Sequence, residues 1–280
     1  EMFKYIKILW AILTDERARW RYIIVTPFIK WIPDRFYLKK RYKFKMNREL
    51  NLKNPQTFTE KLQWLKLYDR NPLYTKLADK YEVKQYIKDK LGEAYVIPMV
   101  GGPWKHFSDI DFDKLPNQFV LKNTHDSGGV AICSDKTSFN REQAGKKLEY
   151  SLNHNYFYYN REWPYKNVQP RIIAEQYMEE MGRESLLDYK LHCFHGEVKV
   201  ILVCLGRGDA NGMKKVFYDR NWKKLEFRRP NTSNDCYVER PAHLNKMIEF
   251  SEKLSKDIPF VRVDFYDING KLYFGEMTFF

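Results

Sequence analysis

An α+β fold built on antiparallel sheets is what three stretches of this 280-residue sequence predict. Apolar, β-rich runs at 260–268 and 271–280 flank Asn269-Gly270, the strongest short-range hairpin signal a sequence offers. A short apolar run at 119–122 and another at 130–133 enclose a small, polar, glycine-ended loop. Residues 187–203 read as two further strands joined at His195-Gly196. Helix-period patterns separate these strand pairs, and the length allows one large domain or two or three smaller lobes.

In chain order, residues 2–46 mix aromatic and aliphatic side chains with 12 Lys and Arg against 4 Asp and Glu, counted over 1–46, so this segment supplies +8 of the formal +13. A basic amphipathic segment carrying Trp10, Trp20 and Trp31 reads either as a membrane-surface element or as a helical cap with a solvated basic face. Thr57 or Thr59 ahead of a Glu caps a helix carrying Leu62, Leu65 and Leu67. A second helix is expected from Thr75 or Asp79 to Leu91, stopped by Gly92. Residues 94–100 form a β-type run closed by the turn signal Gly101-Gly102-Pro103. A helix at about 142–153 leads to a strand over 171–178. Residues 206–241 are polar, turn-rich and basic, either a groove for an anionic acceptor or a solvated surface. A helix over 243–255 feeds the last hairpin.

Composition narrows the function classes. The charge favours acidic partners: nucleotide phosphates, anionic lipid, an anionic polymer or nucleic acid, the last without any recognised motif. Cys133, Cys193, Cys204 and Cys236 form no Cys-x-x-Cys pair, which argues against a zinc site or disulfide framework and for a reducing, cytoplasmic compartment. No apolar run approaches the roughly 20 residues of a spanning helix, the start does not read as a signal peptide, and Met2 reads as a start residue behind one extra residue.

The candidate chemistry lies on the strands. Arg262, Asp264 and Tyr266 share one face of their strand, Glu276 and Thr278 one face of theirs, and the hairpin brings Asp264 opposite or diagonal to Glu276. Buried carboxylates need a cation or partner, and hard oxygen ligands on neighbouring strands suit Mg²⁺ carrying phosphates. Otherwise the acids simply face water. Lys122, ending a buried strand, needs an anionic partner. The loop Asn123-Thr124-His125-Asp126-Ser127-Gly128-Gly129 offers backbone N–H groups to phosphate oxygens or is a plain flexible hairpin, and it is not a Walker loop. Glu175 beside Tyr177 and Met178 suits an adenine amino group. Asp188, Lys190 and His192 share a face. His192 and His195, three apart on a strand, fall on opposite faces and make a poor metal pair.

In order and spacing these pieces resemble the ATP-grasp superfamily, and within it the TupA-like branch associated with teichuronopeptide and capsular polysaccharide gene clusters. The resemblance covers roughly 75–280, and Thr57-Phe-Thr-Glu-Lys-Leu-Gln-Trp-Leu extends it N-terminally. It implies an ATP-grasp fold, two lobes whose antiparallel sheets clasp ATP, behind a helical basic N-terminal segment. The expected division is 1–74 for that segment, 75–178 for the lobe with the glycine flap and 179–280 for the lobe with the metal hairpin. By resemblance Lys84, Lys122 and Lys190 contact ATP phosphates, with Thr124, Ser127, Gly128 and Gly129 in the flap. Glu175, Gln176, Tyr177 and Met178 form the adenine-ribose edge. Asp264, Glu276 and Thr278 hold Mg²⁺, and Arg262, with Lys190, stabilises the transferring phosphoryl group. Most of the superfamily reads Glu-x-Asn where this sequence has Glu276-Met-Thr278. Relatives usually continue past this strand, so part of the acceptor site is expected beyond Phe280.

The function this implies is an ATP- and Mg²⁺-dependent ligase that activates a carboxylate as an acyl phosphate and couples it to an amine or similar nucleophile in cell-surface polysaccharide biosynthesis. Its partners would be ATP and an anionic glycan or amino-acid acceptor, and its place the cytoplasm, peripheral at the inner face of the plasma membrane. The alternatives are a glycan kinase of the same fold and a glycosyltransferase, the label this branch often carries. Asp109-Ile-Asp111-Phe-Asp113 matches the metal motif of the latter only formally. A non-catalytic basic module binding membrane or polyanion belongs to another class, and nucleic acid is the least favoured partner.

Overall fold

A computed structural model describes residues 14–15, 20, 26–182, 185–206, 212–230 and 232–280. Of the expected membrane-facing stretch 2–46, residues 2–13, 16–19 and 21–25 lie outside the described residues. Two compact units form, one from Glu1–Asn71, Asn155–Lys166 and Phe280, the other from Pro72–His154 and Asn167–Phe279.

In the first unit, α1 (Asp34–Met46) buries Tyr37, Leu38 and Tyr42 against Ile29, Leu50 and Leu52. Helix α2 (Phe58–Tyr68) starts at the predicted capping box, and Thr57 is its cap: the Thr57 hydroxyl accepts from Glu60 N (3.4 Å) while a Glu60 carboxylate oxygen accepts from Thr57 N (2.9 Å). The insertion 155–166 contributes Arg161, 1% exposed, which pairs with Asp34 (3.0 Å) and donates to the carbonyls of Ile29 (2.6 Å) and Ile32 (3.0 Å). A buried guanidinium is tolerable because its donors end on a carboxylate and on carbonyls.

The second unit opens with α3 (Leu73–Ala78) and α4 (Glu82–Leu91). The break between them is made by Asp79, whose carboxylate accepts from Tyr81 N (2.8 Å) and Glu82 N (3.4 Å). Strands β1 (Met99–Trp104), β2 (Phe119–Asn123), β3 (Val130–Cys133) and β4 (Ile172–Gln176) form an antiparallel sheet in the order β1-β4-β2-β3. Gly101-Gly102-Pro103, expected to end a strand, lies inside β1. That strand is an edge with two register shifts, where proline's missing N–H leaves no ladder bond unmade. Phe119, Leu121, Ile172 and Ala174 bury one face of this sheet with Leu148 of α5 (Arg141–Leu152).

Strands β5 (Asp188–Phe194), β6 (Glu197–Leu205), β7 (Lys214–Tyr218), β8 (Phe260–Ile268) and β9 (Lys271–Thr278) make a second antiparallel sheet, ordered β7-β6-β5-β8-β9. Strand β7 is a correction to the loop expected over 206–241: Val216, Phe217 and Tyr218 are buried in sheet pairing with β6. Helix α6 (Leu244–Leu254) covers β5, β6 and β8 with a face including Met247, Phe250 and Leu254.

The β8–β9 hairpin turns at Asn269 (φ 49°) and Gly270 (φ 74°), both left-handed as a type I′ turn requires. Its register holds one surprise. Ile268 pairs with Lys271 and Phe265 with Phe274, but Val263 pairs with Met277. Two residues, Gly275 and Glu276, therefore oppose Asp264 alone: a β-bulge. With unbroken pairing from the turn, Asp264 would face Gly275 and Glu276 would point to the opposite side of the sheet. The expected meeting of the two acids thus depends on this bulge.

Candidate functional site

The sheet containing β4 carries a buried ion group. Glu175, 5% exposed, receives Lys84 Nζ from α4 on Oε1 (2.6 Å) and Lys122 Nζ from β2 on Oε2 (2.5 Å). Lys84 also donates to the carbonyl of Ile97 (2.9 Å). Register puts Val120, Lys122, Ile173 and Glu175 on one face, opposite the face packed on α5. Burial raises the Glu175 carboxyl, but Lys122 and then Lys84 outweigh it and hold the group down at about 2. Burial lowers Lys84 more than Glu175 restores it. The Glu175 side chain is therefore engaged by two lysines. Gln176 beyond it is exposed, with its N–H on the carbonyl of Pro98 (2.9 Å), and Tyr177 and Met178 are half-buried.

The 123–129 loop is anchored through its first half. Asn123, Thr124, His125 and Asp126 are all buried. Asn123 Nδ2 donates to Leu148 O (2.9 Å), the Thr124 hydroxyl to Gln169 O (3.0 Å), and Ser151 Oγ to the Asp126 carboxylate. The Thr124 hydroxyl, expected at phosphates, is thereby turned inward. Ser127 and Gly128 form the exposed tip, where Gly128 has φ 111°. At Gly129 an added Cβ would crowd the buried Asp126 carboxylate and the Asn123 amide, and one of them would have to shift.

On the five-stranded sheet, Asp188, Lys190, His192, Arg262, Asp264, Glu276 and Thr278 gather on the face opposite α6. Lys190 pairs with Asp188 (2.6 Å) and with Asp264. Arg262 grips Asp264 with Nε on Oδ1 (2.6 Å) and an NH2 donor on Oδ2 (2.7 Å), and the same nitrogen reaches Glu276 Oε1 (2.7 Å). Thr278 Oγ1 donates to Glu276 Oε1 (3.2 Å). Asp264 is 1% exposed, and although burial raises its carboxyl, Arg262 and Lys190 leave it below the ordinary range. Burial lowers Lys190, yet Asp264 and Asp188 leave it raised. Two carboxylates and a hydroxyl are hard donors, and Mg²⁺ is commonly held by one or two carboxylates with phosphates and water completing its octahedron, so this donor set fits the ion. Among the described residues no group of three or more His, Cys, Asp or Glu side chains is placed to hold a metal alone.

Two participants escaped the sequence reading. The bulge that aims Glu276 had a signal in the lone Gly275 and in the apolar spacing Leu272, Phe274, Met277, which breaks the period of two. His192 was set aside as a metal ligand, but burial, with Arg262 alongside, pushes its imidazole down to about 4. The formal acidic motif is occupied locally: Asp109 accepts from His106 N (2.9 Å) and Asp111 from Asp113 N (3.1 Å), both in short turns. The four cysteines are free, and burial pushes the Cys193 thiol up to about 12. No helix among the described residues is long and apolar enough to cross a membrane.

No curated protein matches the chain. Similar solved structures include a D-alanine–D-alanine ligase from Bacillus anthracis complexed with ATP, 17% identical over 72% of this chain and 55% of that one, with a TM-score of 0.43. Another is the D-alanine–D-alanine ligase from Helicobacter pylori (15%, 88% and 61%, 0.40). A third is N5-carboxyaminoimidazole synthetase from Staphylococcus aureus (15%, 72% and 44%, 0.40). The chain thus spans between 44% and 61% of the length of these three. The family described as TupA-like ATPgrasp matches residues 60–280, which take in both sheets and both ion groups, and the chain belongs to that TupA-like ATP-grasp family.

Proposed function

We propose that this chain provides the nucleotide site of an ATP- and Mg²⁺-dependent ligase, which activates a carboxylate as an acyl phosphate and joins it to an amine during cell-surface polysaccharide biosynthesis. The observation that carries the reading is a pair of ion groups of opposite surplus: two lysines on one acid at Glu175, and three acids on two cations around Asp264. The first suits phosphate oxygens. The second suits a divalent cation, with Asp264 and Glu276, and more weakly Thr278, as its ligands. Bound there, Mg²⁺ would neutralise charge on the β- and γ-phosphate oxygens. Lys84 and Lys122 would hold those oxygens, with backbone N–H groups at Ser127, Gly128 and Gly129. Arg262 and Lys190 would hold the oxyanions that develop on transfer. Residues from Gln176 to Met178 would flank the adenine.

Calorimetry with ATP, with and without Mg²⁺, followed by ADP release from carboxylate and amine pairs, tests this. Tight binding that needs Mg²⁺, with amide product, is expected. Absence of Mg²⁺-dependent nucleotide binding would overturn the reading, and phosphate transfer to a glycan without amide formation would turn it to a kinase. We extend the proposal to the inner face of the plasma membrane. Supporting it, Phe28 (72% exposed) and Trp31 (86%) flank Lys30 in the short turn Pro27–Trp31 of a chain whose net charge is +13. Salt-reversible binding to anionic vesicles is expected, and equal binding to neutral ones would sink this part.

A further inference from the structure

Strand β4 ends at Gln176, and the chain crosses from there to the second sheet, which it enters at Asp188. In the described first half of that crossing, 177–182, two backbone groups end on one side chain. Asn269 Nδ2 donates to the carbonyl of Glu179 (3.2 Å), and Met181 N donates to Asn269 Oδ1 (3.1 Å). The acceptor and the donor so engaged are two residues apart, as they are for one residue of a parallel ladder. The carboxamide of Asn269 thus stands in for a peptide unit in a strand rung.

Asn269 is also the first residue of the β8–β9 turn, at φ 49°. Turn and clasp make different demands. The turn needs a residue that tolerates the left-handed region, and Gly or Asp meets that need as Asn does. The clasp needs a donor and an acceptor on one short side chain, which of these three only Asn supplies. The position of the clasp gives it a consequence. Asp264 lies five positions before Asn269 on β8, about 17 Å at the rise of an antiparallel strand, and the clasped segment begins directly after Met178.

We propose that Asn269 is a positioning residue for the nucleotide base: by clasping 179–181 to the tip of the β8–β9 hairpin, it holds Gln176, Tyr177 and Met178 at a set distance from Asp264 and Glu276. The assignment rests on the ligase reading, in which 176–178 flank the adenine and the two acids hold Mg²⁺. Backbone that is held before the ligand arrives does not have to be ordered by it. The clasp therefore strengthens contacts to the base and leaves contacts to the phosphates as they are. Its two hydrogen bonds lie at the surface, which sets the effect at several-fold and not at a collapse of binding.

Two measurements on the full chain test it with Asn269→Gly, which keeps the turn and removes the clasp. Without nucleotide, the Met181 amide proton should exchange with solvent faster in the variant than in the parent. In calorimetry with Mg²⁺, the variant should raise the dissociation constant for ATP about three- to tenfold and leave that for inorganic tripolyphosphate unchanged. A general loosening of the fold would weaken both ligands alike. Equal Met181 exchange, unchanged ATP affinity, or equal weakening of the two ligands would each overturn the assignment. If parent and variant bind ATP equally well, the ligase reading stands and the role of Asn269 falls; a parent that binds no nucleotide defeats the reading itself, and the assignment with it.

Discussion

The ion group at Glu175 and the one at Asp264 are built from the same parts and carry opposite surpluses. At Glu175 one carboxylate takes two lysines that come from different elements, α4 and β2. At Asp264 the side chains come from three adjacent strands, and Asp188, Asp264 and Glu276 outnumber Lys190 and Arg262. Buried charges are tolerated only in compensated sets, so each group is held together by its central acid. What is left over differs. One group has a cation to offer and the other an anion, and it is this difference that makes them complementary to the two ends of a metal–phosphate complex.

The comparison breaks most sharply at its centres. As two neighbouring carboxylates and nothing more, Asp264 and Glu276 would repel, and either amide would leave the protein without ligand intact or firmer. The geometry says otherwise, because Arg262 and Lys190 already sit on them. Asp264→Asn leaves both cations short of a partner and should cost about 3–5 kcal/mol in urea unfolding without ligand. Glu276→Gln, on a side chain 39% exposed, should cost about 1 kcal/mol or less. Equal losses would mean that Asp264 is not the centre of its group.

Glu175→Gln should follow with a loss of about 2–4 kcal/mol at neutral pH, and it carries a pH signature. The Glu175 carboxyl ordinarily near 4.5 is held to about 2 in the folded chain. A group with a lowered folded pKa contributes its stability above the unfolded value and loses it as pH falls toward the folded one. The parent chain should therefore shed this stabilisation between about pH 4.5 and 2. The Glu175→Gln chain, already without it, should show a flatter acid limb in that window. Parallel limbs would show that the lysines do not depend on this carboxylate.

Lys122→Ala tests the cationic surplus. Lys84 remains to satisfy Glu175, so the fold should hold while ATP affinity falls by about 1.5–3 kcal/mol, the range for a hydrogen bond to a charged group. Unchanged affinity in calorimetry would remove Lys122 from the phosphate site and leave it a purely structural partner of Glu175.

Much of this was legible in the chain where the determinants are local. Asn269-Gly270 specified its turn, Thr57 and Glu60 their capping box, and the 119–133 run its hairpin, because each depends on residues a few positions apart. Asp188, Lys190 and His192 could be put on one face by alternation alone. Long-range pairings were not legible. Nothing near Glu175 announces Lys84, which is 91 positions away, or shows that Asn155–Lys166 joins the first unit through Arg161. Gly101-Gly102-Pro103 misled because the same residues that make turns are also tolerated on an edge strand. Thr124 looked free for phosphate because its partner, the Gln169 carbonyl, lies far along the chain.

Gly275 combines a small effect on stability with the finest test of the comparison, because it separates where the Asp264 group is held from how its surplus acid is aimed. An added Cβ would stand 3.1 Å from the Tyr266 ring and 3.2 Å from the Asp264 carbonyl, tight but not prohibitive. Gly275→Ala should therefore cost only about 1 kcal/mol, a mild overpacking partly offset by the lower entropy of the unfolded chain. Relief can come by shifting the ring, which preserves the bulge, or by straightening the strand, which turns Glu276 to the far side of the sheet and leaves Arg262 with Asp264 alone. The positional dependence of the site on the bulge predicts the second, so the Mg²⁺-dependent part of the ATP-induced rise in Tm should fall well beyond what 1 kcal/mol of destabilisation explains, while the Mg²⁺-independent part stays. If the Mg²⁺-dependent rise survives intact in Gly275→Ala, Glu276 holds its direction without the bulge, and the aim of the second group is set by Arg262 rather than by backbone register.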